Sequence, residues 1–238
     1  MSTFIKKIIL SVSLIASSAV TNASLITNGS FEQTVFIDSS SVIGATSNTD
    51  LQSYTNTNSV WDVFYSLPGW TTTYGNGIEL QKNVVTKSQD GLHHVELDSH
   101  ISGLSNSVMT QTVDSLTVGE NYLLEFFYKP RTNILNDNGI NVFWYDANTD
   151  FDFDMDAVLV SDSTAQLMPD WSLQTISFIA QAQSMNLSFA SFGQQNTLGG
   201  LIDNVSLTRV ASVPEPSTFI FLFTALALLV IRKNKKVS

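Results

Sequence analysis

VGENYLLEFFY, residues 118–128, is the stretch of this 238-residue sequence that most directly predicts its fold. Tyr122, Leu124 and Phe126 are separated by single residues, so a β-strand would place them on one face. Tyr128 continues that face. The Gly-Glu-Asn sequence before Tyr122 is typical of a turn. The stretch therefore predicts a turn followed by a half-buried strand.

Two later segments show the same two-residue period. Met185, Leu187 and Phe189 would share one face of a strand, and Ile176 and Phe178 would share a face of another. Outside the two chain ends, no stretch keeps the 3.6-residue apolar period of an amphipathic helix. Asn and Thr are abundant there, whereas the usual helix formers are sparse. This pattern predicts an all-β sandwich.

Two short motifs lie near opposite ends of this region, LITNGSFE at residues 25–32 and GLIDNVSL at residues 200–207. In the second motif, a regular strand would place Asp203 on one face with three aliphatic side chains, those of Leu201, Val205 and Leu207. A carboxylate in such a position must be hydrogen-bonded, paired or bound to a metal, because desolvating it alone is costly.

These motifs, together with three segments between them, resemble the galactose-binding-like jelly-roll superfamily. The segments are Pro68-Gly69-Trp70, GLHHVELD at residues 91–98 and MTQTVDSLTVGENYLLEFFY at residues 109–128. The similarity is greatest to cell-wall-associated members and to carbohydrate-binding modules. The resemblance implies a single jelly-roll β-sandwich domain over residues 24–211.

The same resemblance implies a structural calcium ion. In many such modules, the acidic residue after the Asn-Gly-x-Phe opening and the Asp of the closing strand bind calcium, and here these are Glu32 and Asp203. Their carboxylate oxygens are hard ligands, of which calcium takes roughly six to eight. The alternative is that backbone N–H groups satisfy both carboxylates.

Charge and cysteine content exclude several function classes. Residues 24–211 contain five basic and twenty acidic side chains, a net charge of −15 compared with −10 for the whole chain. Such a surface repels nucleic acid and anionic lipid and attracts divalent cations. The chain has no cysteine, which excludes thiol catalysis, cysteine-ligated zinc and iron–sulfur clusters.

The N-terminus carries an export signal. Residues 1–23 combine a basic start, an apolar run and small side chains leading to Ala23. This order is that of a secretory signal peptide cleaved after Ala23. The alternative is an uncleaved anchor, although the apolar run is shorter than the roughly 20 residues that a membrane span needs.

The C-terminus, residues 212–238, resembles the PEP-CTERM sorting tail of Gram-negative bacteria. The motif Pro214-Glu215-Pro216 precedes an apolar helix at residues 219–231 and a basic end at residues 232–236. The resemblance implies transient insertion in the inner membrane, recognition by an exosortase, and delivery to the cell surface or an extracellular polysaccharide matrix. The alternative is a simple membrane anchor at the C-terminus.

An acidic stretch, residues 146–156, superficially suggests a calcium loop. It lacks the Gly at the sixth position and the Glu at the twelfth that an EF-hand loop requires. As a strand, it would direct Phe151, Phe153 and Met155 inward and its carboxylates outward. We therefore expect a solvated face, with a cation site as the alternative.

Aromatic residues are the candidates for sugar contacts, because a ring stacks on the apolar face of a pyranose. The strongest candidates are Trp61 and Tyr74, which lie in polar, loop-like surroundings. Three further residues are considered, for which burial is the alternative: Trp70, Trp144 and Tyr145. Trp171 precedes a strand and is expected in the core.

Enzyme activity has little support in the sequence, and no catalytic residue is predicted. His93 and His94 are adjacent and would point to opposite faces of a strand, so they form no metal set. No serine has the glycine pattern of a nucleophile elbow. The sequence favours an exported protein that binds polysaccharide without catalysis. The alternatives are a structural matrix or adhesion protein without a sugar site, and a glycan-active enzyme.

Overall fold

The computed structural model describes residues 23–34, 60–100, 103–160 and 170–210. Within these ranges the regular structure is β-strand, and no helix long and apolar enough to cross a membrane occurs. The predicted signal peptide before Ala23 lies outside these ranges. So does the predicted sorting tail with Pro214, Glu215 and Pro216.

Twelve strands are present in the described part of the chain. In chain order they are β1 (Val60–Phe64), β2 (Ser66–Leu67), β3 (Trp70–Tyr74), β4 (Ile78–Lys82), β5 (His93–Glu96), β6 (Val108–Val113), β7 (Asn121–Lys129), β8 (Gly139–Asp146), β9 (Ala157–Val160), β10 (Ser172–Ile179), β11 (Met185–Phe192) and β12 (Leu201–Arg209).

The strands form two six-stranded sheets. Sheet I has the order β1-β4-β5-β12-β7-β10, and sheet II has the order β2-β3-β6-β11-β8-β9. All strand pairs in both sheets are antiparallel. The predicted all-β jelly-roll sandwich is confirmed.

The core lies between the two sheets and follows the predicted alternation. In β7, the side chains of Tyr122, Leu124 and Phe126 are buried, whereas the residues between them are half-buried. Leu187 and Phe189 of β11 enter the same core from sheet II. The face predictions for β7 and β11 are confirmed, because burial of one face selects a two-residue period.

Strand β12 changes register at a β-bulge after Asp203. Asn204 has a φ of 48°, in the left-handed region, and its N–H donates to Asp203 Oδ1 at 2.6 Å. Ile202 before the bulge belongs to the core, and so do Val205 and Leu207 after it. The prediction that Asp203 shares a face with Val205 and Leu207 is therefore wrong, because the bulge shifts the alternation by one residue.

The N-terminal segment docks beside this bulge. Val205 N–H donates to Gly29 O at 2.8 Å, and Leu25 N–H donates to Leu207 O at 2.8 Å. A Cβ on Gly29 would lie 1.9 Å from Val205 O, so this close approach requires glycine. The two terminal sequence motifs are therefore direct neighbours in the fold.

The acidic stretch is not a strand, and this prediction is wrong. After β8 ends at Asp146, residues 147–156 form turns that cross the outer face of sheet II. Phe151 and Met155 pack against a small outer cluster of apolar residues, whereas Phe153 is half exposed. The aromatic contacts determine the course of this segment, and the carboxylates of Asp150, Asp152, Asp154 and Asp156 are exposed as expected.

Candidate functional site

Five polar side chains form a group on the outer face of sheet I, which we call the sheet I polar cluster. Its members are Glu79 and Gln81 of β4, His94 and Glu96 of β5, and Arg131, which follows β7. In β4 and β5 they alternate with core residues and so point away from the core. Glu79 lies opposite Glu96, and Gln81 lies opposite His94.

Each carboxylate oxygen of the cluster has a hydrogen-bond donor. Gln81 Nε2 donates to Glu79 Oε1 at 2.8 Å and to Glu96 Oε2 at 2.6 Å. The backbone N–H of His100 donates to Glu79 Oε2 at 2.7 Å, and that of Gly199 donates to Glu96 Oε1 at 2.7 Å. The side chains of Glu79, Gln81 and Glu96 are buried.

Arg131 connects the cluster to the loop that precedes β12. Its Nη1 forms an ion pair with Glu96 Oε2 and donates to Thr197 O at 3.0 Å. The Gly199 N–H also donates to Glu96, so residues 197–199 are attached to the cluster by one backbone carbonyl and one backbone N–H. His94 completes it, with Nε2 at 3.1 Å from Gln81 Oε1 and Nδ1 at 3.0 Å from Ser88 Oγ.

Burial alters the protonation of the cluster. Desolvation raises the pKa of Glu79 from 4.5 to about 7. It also raises the pKa of Glu96 well above its usual value, as does the charge of Glu79, whereas Arg131 acts against both. Desolvation lowers the pKa of His94 from 6.5 to about 3, so the imidazole is neutral. One guanidinium beside two opposed carboxyls suits a single negative charge and a shared proton.

These shifts predict that the protein loses stability as the pH rises through neutrality. The raised pKa of Glu79, about 7, gives a contribution that is complete below pH 4.5 and lost as the pH rises through 7. Burial raises the pKa of Asp203 to about 7 as well, with the same sign. The lowered pKa of His94, about 3, has the opposite sign, but its contribution is already complete above pH 6.5.

We therefore expect the free energy of unfolding to fall by about 1 to 2 kcal/mol between roughly pH 6.5 and 8.5. Urea unfolding at several pH values measures this slope. Glu79→Gln should reduce it by about half, because Asp203 keeps its own contribution, whereas Asp150→Asn, a change at an exposed carboxylate, should not alter it. A slope unchanged by Glu79→Gln would contradict the assignment.

Two indole rings border the sheet I polar cluster. Trp61 lies opposite Gln81 in the sheet, and its ring packs against His100 with centroids 4.9 Å apart. Trp171 packs edge-on against His94 at 5.6 Å, and its Nε1 donates to Lys87 O at 2.9 Å. Trp171 is half-buried on this outer face. The prediction that it packs in the core is wrong, because its partners are polar groups outside the sandwich.

Hydroxyl groups form a continuous row across the outer face of sheet II, which we call the hydroxyl row. Thr73 Oγ1 donates to Thr110 Oγ1 at 2.6 Å, and Thr110 Oγ1 lies 2.6 Å from Ser188 Oγ. Tyr145 Oη lies 3.2 Å from the same Ser188 Oγ. The four residues come from four neighbouring strands, β3, β6, β11 and β8. An open groove of about 460 Å³ lies beside Thr110 and Thr112.

Two exposed aromatic rings, those of Tyr74 and Phe153, lie at the edge of the same face. Their exposed fractions are 41% and 50%, and their centroids are 5.0 Å apart in an edge-on arrangement. A β-bulge between Thr72 and Tyr74 places both Thr73 and Tyr74 on the outer face. Tyr74 is thus exposed, as its polar surroundings predict, and its role in ligand binding stays a prediction.

The structure does not bring the two strongest aromatic candidates together. Trp61 belongs to β1 of sheet I and Tyr74 to β3 of sheet II. Of the other candidates, Trp70 and Tyr145 are buried. Trp144 lines an open groove of about 330 Å³ between β9 and β10.

The predicted calcium ligands Glu32 and Asp203 both hold the loop before β5. Glu32 Oε1 accepts the N–H groups of Leu92 and His93, each at 2.7 Å, and Glu32 Oε2 lies 2.9 Å from His93 Nδ1. Asp203 Oδ2 accepts the N–H groups of Gln89 and Asp90, at 2.7 and 3.0 Å. N–H donors directed at these oxygens favour the alternative, in which the backbone satisfies both carboxylates. Calcium at Glu32 and Asp203 stays a prediction.

Sequence reasoning missed the sheet I polar cluster. The segments IELQK and HHVE have the apolar and polar alternation of a strand with one solvated face, so their polar residues gave no signal of burial. The one available signal is that polar residues occupy corresponding positions of two segments close in the chain: Glu79 and Gln81 in the first, and His94 and Glu96 in the second. His93 and His94 do point to opposite faces, toward Glu32 and toward Gln81 respectively, as predicted.

Fold and sites together define the class of protein: an all-β jelly-roll sandwich with a buried polar cluster outside one sheet and, outside the other, a largely buried row of hydroxyl groups bordered by two exposed aromatic rings. No family model matches the chain. It is similar to the multifunctional-autoprocessing repeats-in-toxin proteins of Vibrio vulnificus, at 28% identity over 139 residues, and of Vibrio cholerae, at 27% over 146 residues. These matches cover 58% and 60% of the chain but only 2% and 3% of the two relatives' lengths.

Solved structures with a similar sandwich have different functions. A Stig cyclase from Fischerella is 17% identical, with a TM-score of 0.49, over 81% of this chain and 99% of that one. The module TmCBM61 in complex with β-1,4-galactotriose is 16% identical, with a TM-score of 0.40, over 79% and 99%. A CBM4 structure is 17% identical, with a TM-score of 0.37, over 78% and 99%. At these sequence identities and TM-scores, the similarities do not indicate a ligand or an activity for this chain.

Proposed function

We propose that this chain is an exported, non-catalytic module that binds polysaccharide on the outer face of sheet II. The observation that carries the proposal is the pair of exposed rings, Tyr74 and Phe153, beside the hydroxyl row. An exposed ring can stack on the apolar face of a sugar, and the exposed Thr73 hydroxyl next to Tyr74 can exchange hydrogen bonds with the sugar hydroxyls. The other members of the row, Thr110, Ser188 and Tyr145, are buried and support Thr73 from below. An open groove beside Thr71 and Thr112 lies on the same sheet, and a site that extends from the rings toward it would suit a chain rather than a single small molecule.

The charge of this region favours a neutral polysaccharide. Four exposed carboxylates, those of Asp150, Asp152, Asp154 and Asp156, flank Phe153 in the chain. They would repel uronic acids and sulfated sugars approaching the rings, the more so because residues 24–211 have a net charge of −15. The glycan class is therefore one without acidic groups.

The absence of catalysis is part of the proposal and rests on the sheet I polar cluster. Glu79 and Glu96 are, with Asp203, the carboxyls in the described ranges whose raised pKa values would suit a general acid. Both are buried, and their four oxygens already accept hydrogen bonds from Gln81, His100 and Gly199. This arrangement favours a structural role for the pair, since no oxygen is directed at solvent.

The destination of the domain is supported by the chain ends. The signal peptide pattern before Ala23 and the Pro214-Glu215-Pro216 tail support a location outside the inner membrane and processing there by an exosortase. A neutral-glycan module delivered there would attach the cell surface or an extracellular matrix to polysaccharide. Calcium, if it binds at Glu32 and Asp203, would join the two ends of the domain rather than contact the glycan.

A polysaccharide retention assay tests the proposal. The purified protein is passed over a panel of immobilised neutral and acidic glycans, and retention on a neutral glycan is expected. Tyr74→Ala and Phe153→Ala should each weaken binding about 3- to 10-fold, because a ring contact contributes roughly 0.5 to 1.5 kcal/mol beyond its buried area. The matched control is Tyr65→Ala, a tyrosine with 53% exposure that precedes β2 and does not line the groove, which should leave binding unchanged.

Three outcomes count against the proposal. Retention on no glycan would favour a structural matrix or adhesion protein, and self-association of the purified protein would strengthen that reading. Retention that Tyr65→Ala weakens as much as Tyr74→Ala would place the site elsewhere. Release of shortened products from a retained glycan would show catalysis.

A further inference from the structure

Four buried side-chain oxygens in the described ranges have no hydrogen-bond partner, Asp98 Oδ1, Ser105 Oγ, Asn106 Oδ1 and Ser191 Oγ. The side chain of Asp98 is fully buried, and Ser191 is 8% exposed. In native proteins such atoms are rare and indicate a bound water or ion. Three of the four, those of Asp98, Asn106 and Ser191, belong to segments that meet where the end of β11 approaches the hairpin between β5 and β6.

Contacts around a single glycine bring these residues together. Asp98 and Asn106 pair across an isolated antiparallel bridge, which places their side chains on the same side. Ser191 joins the hairpin through its N–H, which donates to Ser107 O at 3.0 Å. A Cβ on Gly199 would lie 2.6 Å from Asp98 Cβ and 3.2 Å from Ser191 Oγ, so both side chains border this glycine.

The orientations of the two planar groups are determined by their other bonds. Asn106 Nδ2 donates to Gly193 O at 3.0 Å, and exchanging the amide oxygen and nitrogen would lose this bond. Asp98 Oδ2 accepts the N–H groups of Asn196 at 3.2 Å and Leu198 at 3.0 Å. The remaining atoms, Asn106 Oδ1 and Asp98 Oδ1, are both acceptors without a donor.

The local charge distinguishes a cation from a water molecule. Asp137, 1% exposed, lies close by, and its carboxylate accepts hydrogen bonds from Gln194 N–H and Asn196 Nδ2, each at 2.7 Å. Within the described ranges neither Asp98 nor Asp137 forms an ion pair with a basic side chain. A water molecule would satisfy the orphaned oxygens and leave this buried negative charge uncompensated. A cation would satisfy these oxygens and also compensate the buried negative charge.

We propose that Asp98 Oδ1, Asn106 Oδ1 and Ser191 Oγ bind a hard cation, Ca²⁺ or Na⁺, at the junction of the two sheets. A carboxylate with amide and hydroxyl oxygens suits these ions, whereas transition metals prefer His and Cys ligands. The described ranges contain no group of three acidic, histidine or cysteine side chains arranged to hold a metal ion, so neutral oxygens would complete the ligand set. This site is separate from Glu32 and Asp203, and it does not depend on the proposed glycan face.

Thermal unfolding with and without cations tests the site. The purified protein is stripped with EDTA, exchanged into a tetramethylammonium buffer and melted with CaCl₂, NaCl or MgCl₂ added. We expect Ca²⁺ or Na⁺ to raise Tm by about 5 °C at saturation, with Mg²⁺ weaker because it requires a tight octahedral shell. Asp98→Asn should abolish the rise, and Ser191→Ala should shift its midpoint to about 10-fold higher cation concentration.

Two matched variants separate this site from other carboxylates. Asp203→Asn and Asp150→Asn should keep the full rise. A rise that survives in Asp98→Asn and is lost in Asp203→Asn would overturn the proposal and assign the cation to Glu32 and Asp203. No rise with any cation would also overturn it, since a buried water then fills the junction. If Asp98→Asn does not fold, an unchanged midpoint in Ser191→Ala is decisive against the site.

Discussion

Arg131→Ala is expected to lower the free energy of unfolding by about 3 to 5 kcal/mol, a large part of the roughly 5 to 15 kcal/mol that stabilises a typical domain. Arg131 is the basic side chain that pairs with the buried Glu96, and its guanidinium also bonds Thr197 O. Its removal leaves Glu96 buried without a counter-charge, so the carboxyl must either remain charged at a cost or take up a proton, and it releases the loop before β12. Urea unfolding at pH 7 measures the loss.

The double variant Arg131→Ala/Glu96→Gln separates charge from packing. Neutralising Glu96 removes the uncompensated charge, so the double variant should recover at least half of the stability lost in Arg131→Ala. Arg209→Ala is the matched control, because Arg209 lies 3.3 Å from Glu120 with both side chains partly exposed. That pair should contribute no more than about 1 kcal/mol. Equal losses for Arg131→Ala and Arg209→Ala would contradict the buried ion pair.

Trp70→Ala is the second change with a large expected effect, a loss of about 3 to 5 kcal/mol in the free energy of unfolding. The indole is fully buried, and its ring lies 6.0 Å from that of Phe31 and 5.9 Å from that of Phe189. Its Nε1 donates to Asn28 O at 3.2 Å. Trp70 thus connects the N-terminal segment to the core, and its removal leaves a cavity and takes away one of the two hydrogen bonds that Asn28 O accepts.

A conservative variant and a surface tryptophan serve as controls. Trp70→Phe should cost less, about 1 to 3 kcal/mol, because it keeps most of the apolar volume and loses the hydrogen bond to Asn28 O. Trp61→Ala removes a half-buried indole on the outer face of sheet I and should cost less than Trp70→Ala. Chemical denaturation of the three variants gives the comparison, and a Trp61→Ala loss as large as that of Trp70→Ala would place Trp61 in the core.

The strands whose faces were predicted correctly are those in which one local rule decides the outcome. In β7, the alternation of Tyr122, Leu124 and Phe126 needs only a buried face on one side, and any sandwich supplies it. The same holds for Leu187 and Phe189 in β11. In such segments the two-residue period of the local sequence is kept in the folded sandwich.

The two β-bulges could not be predicted, and both alter a candidate site. One follows Asp203 and turns its carboxylate toward the loop before β5. The other lies between Thr72 and Tyr74 and brings Tyr74 to the hydroxyl row. A bulge depends on which neighbouring strand pairs with each half, information that the local sequence does not contain.

By itself, then, the sequence VGENYLLEFFY and its counterparts determined an all-β sandwich with a core of alternating aromatic and aliphatic residues, because side-chain period is set by backbone geometry. The tertiary structure alone decided that Glu79 and Glu96 are buried opposite one another, with Arg131 as their counter-charge. It also decided that Asp98 and Asn106, each with a buried oxygen that has no hydrogen-bond partner, pair across an isolated β-bridge. Burial of a polar group depends on the loops that fold over it, and these come from distant parts of the chain.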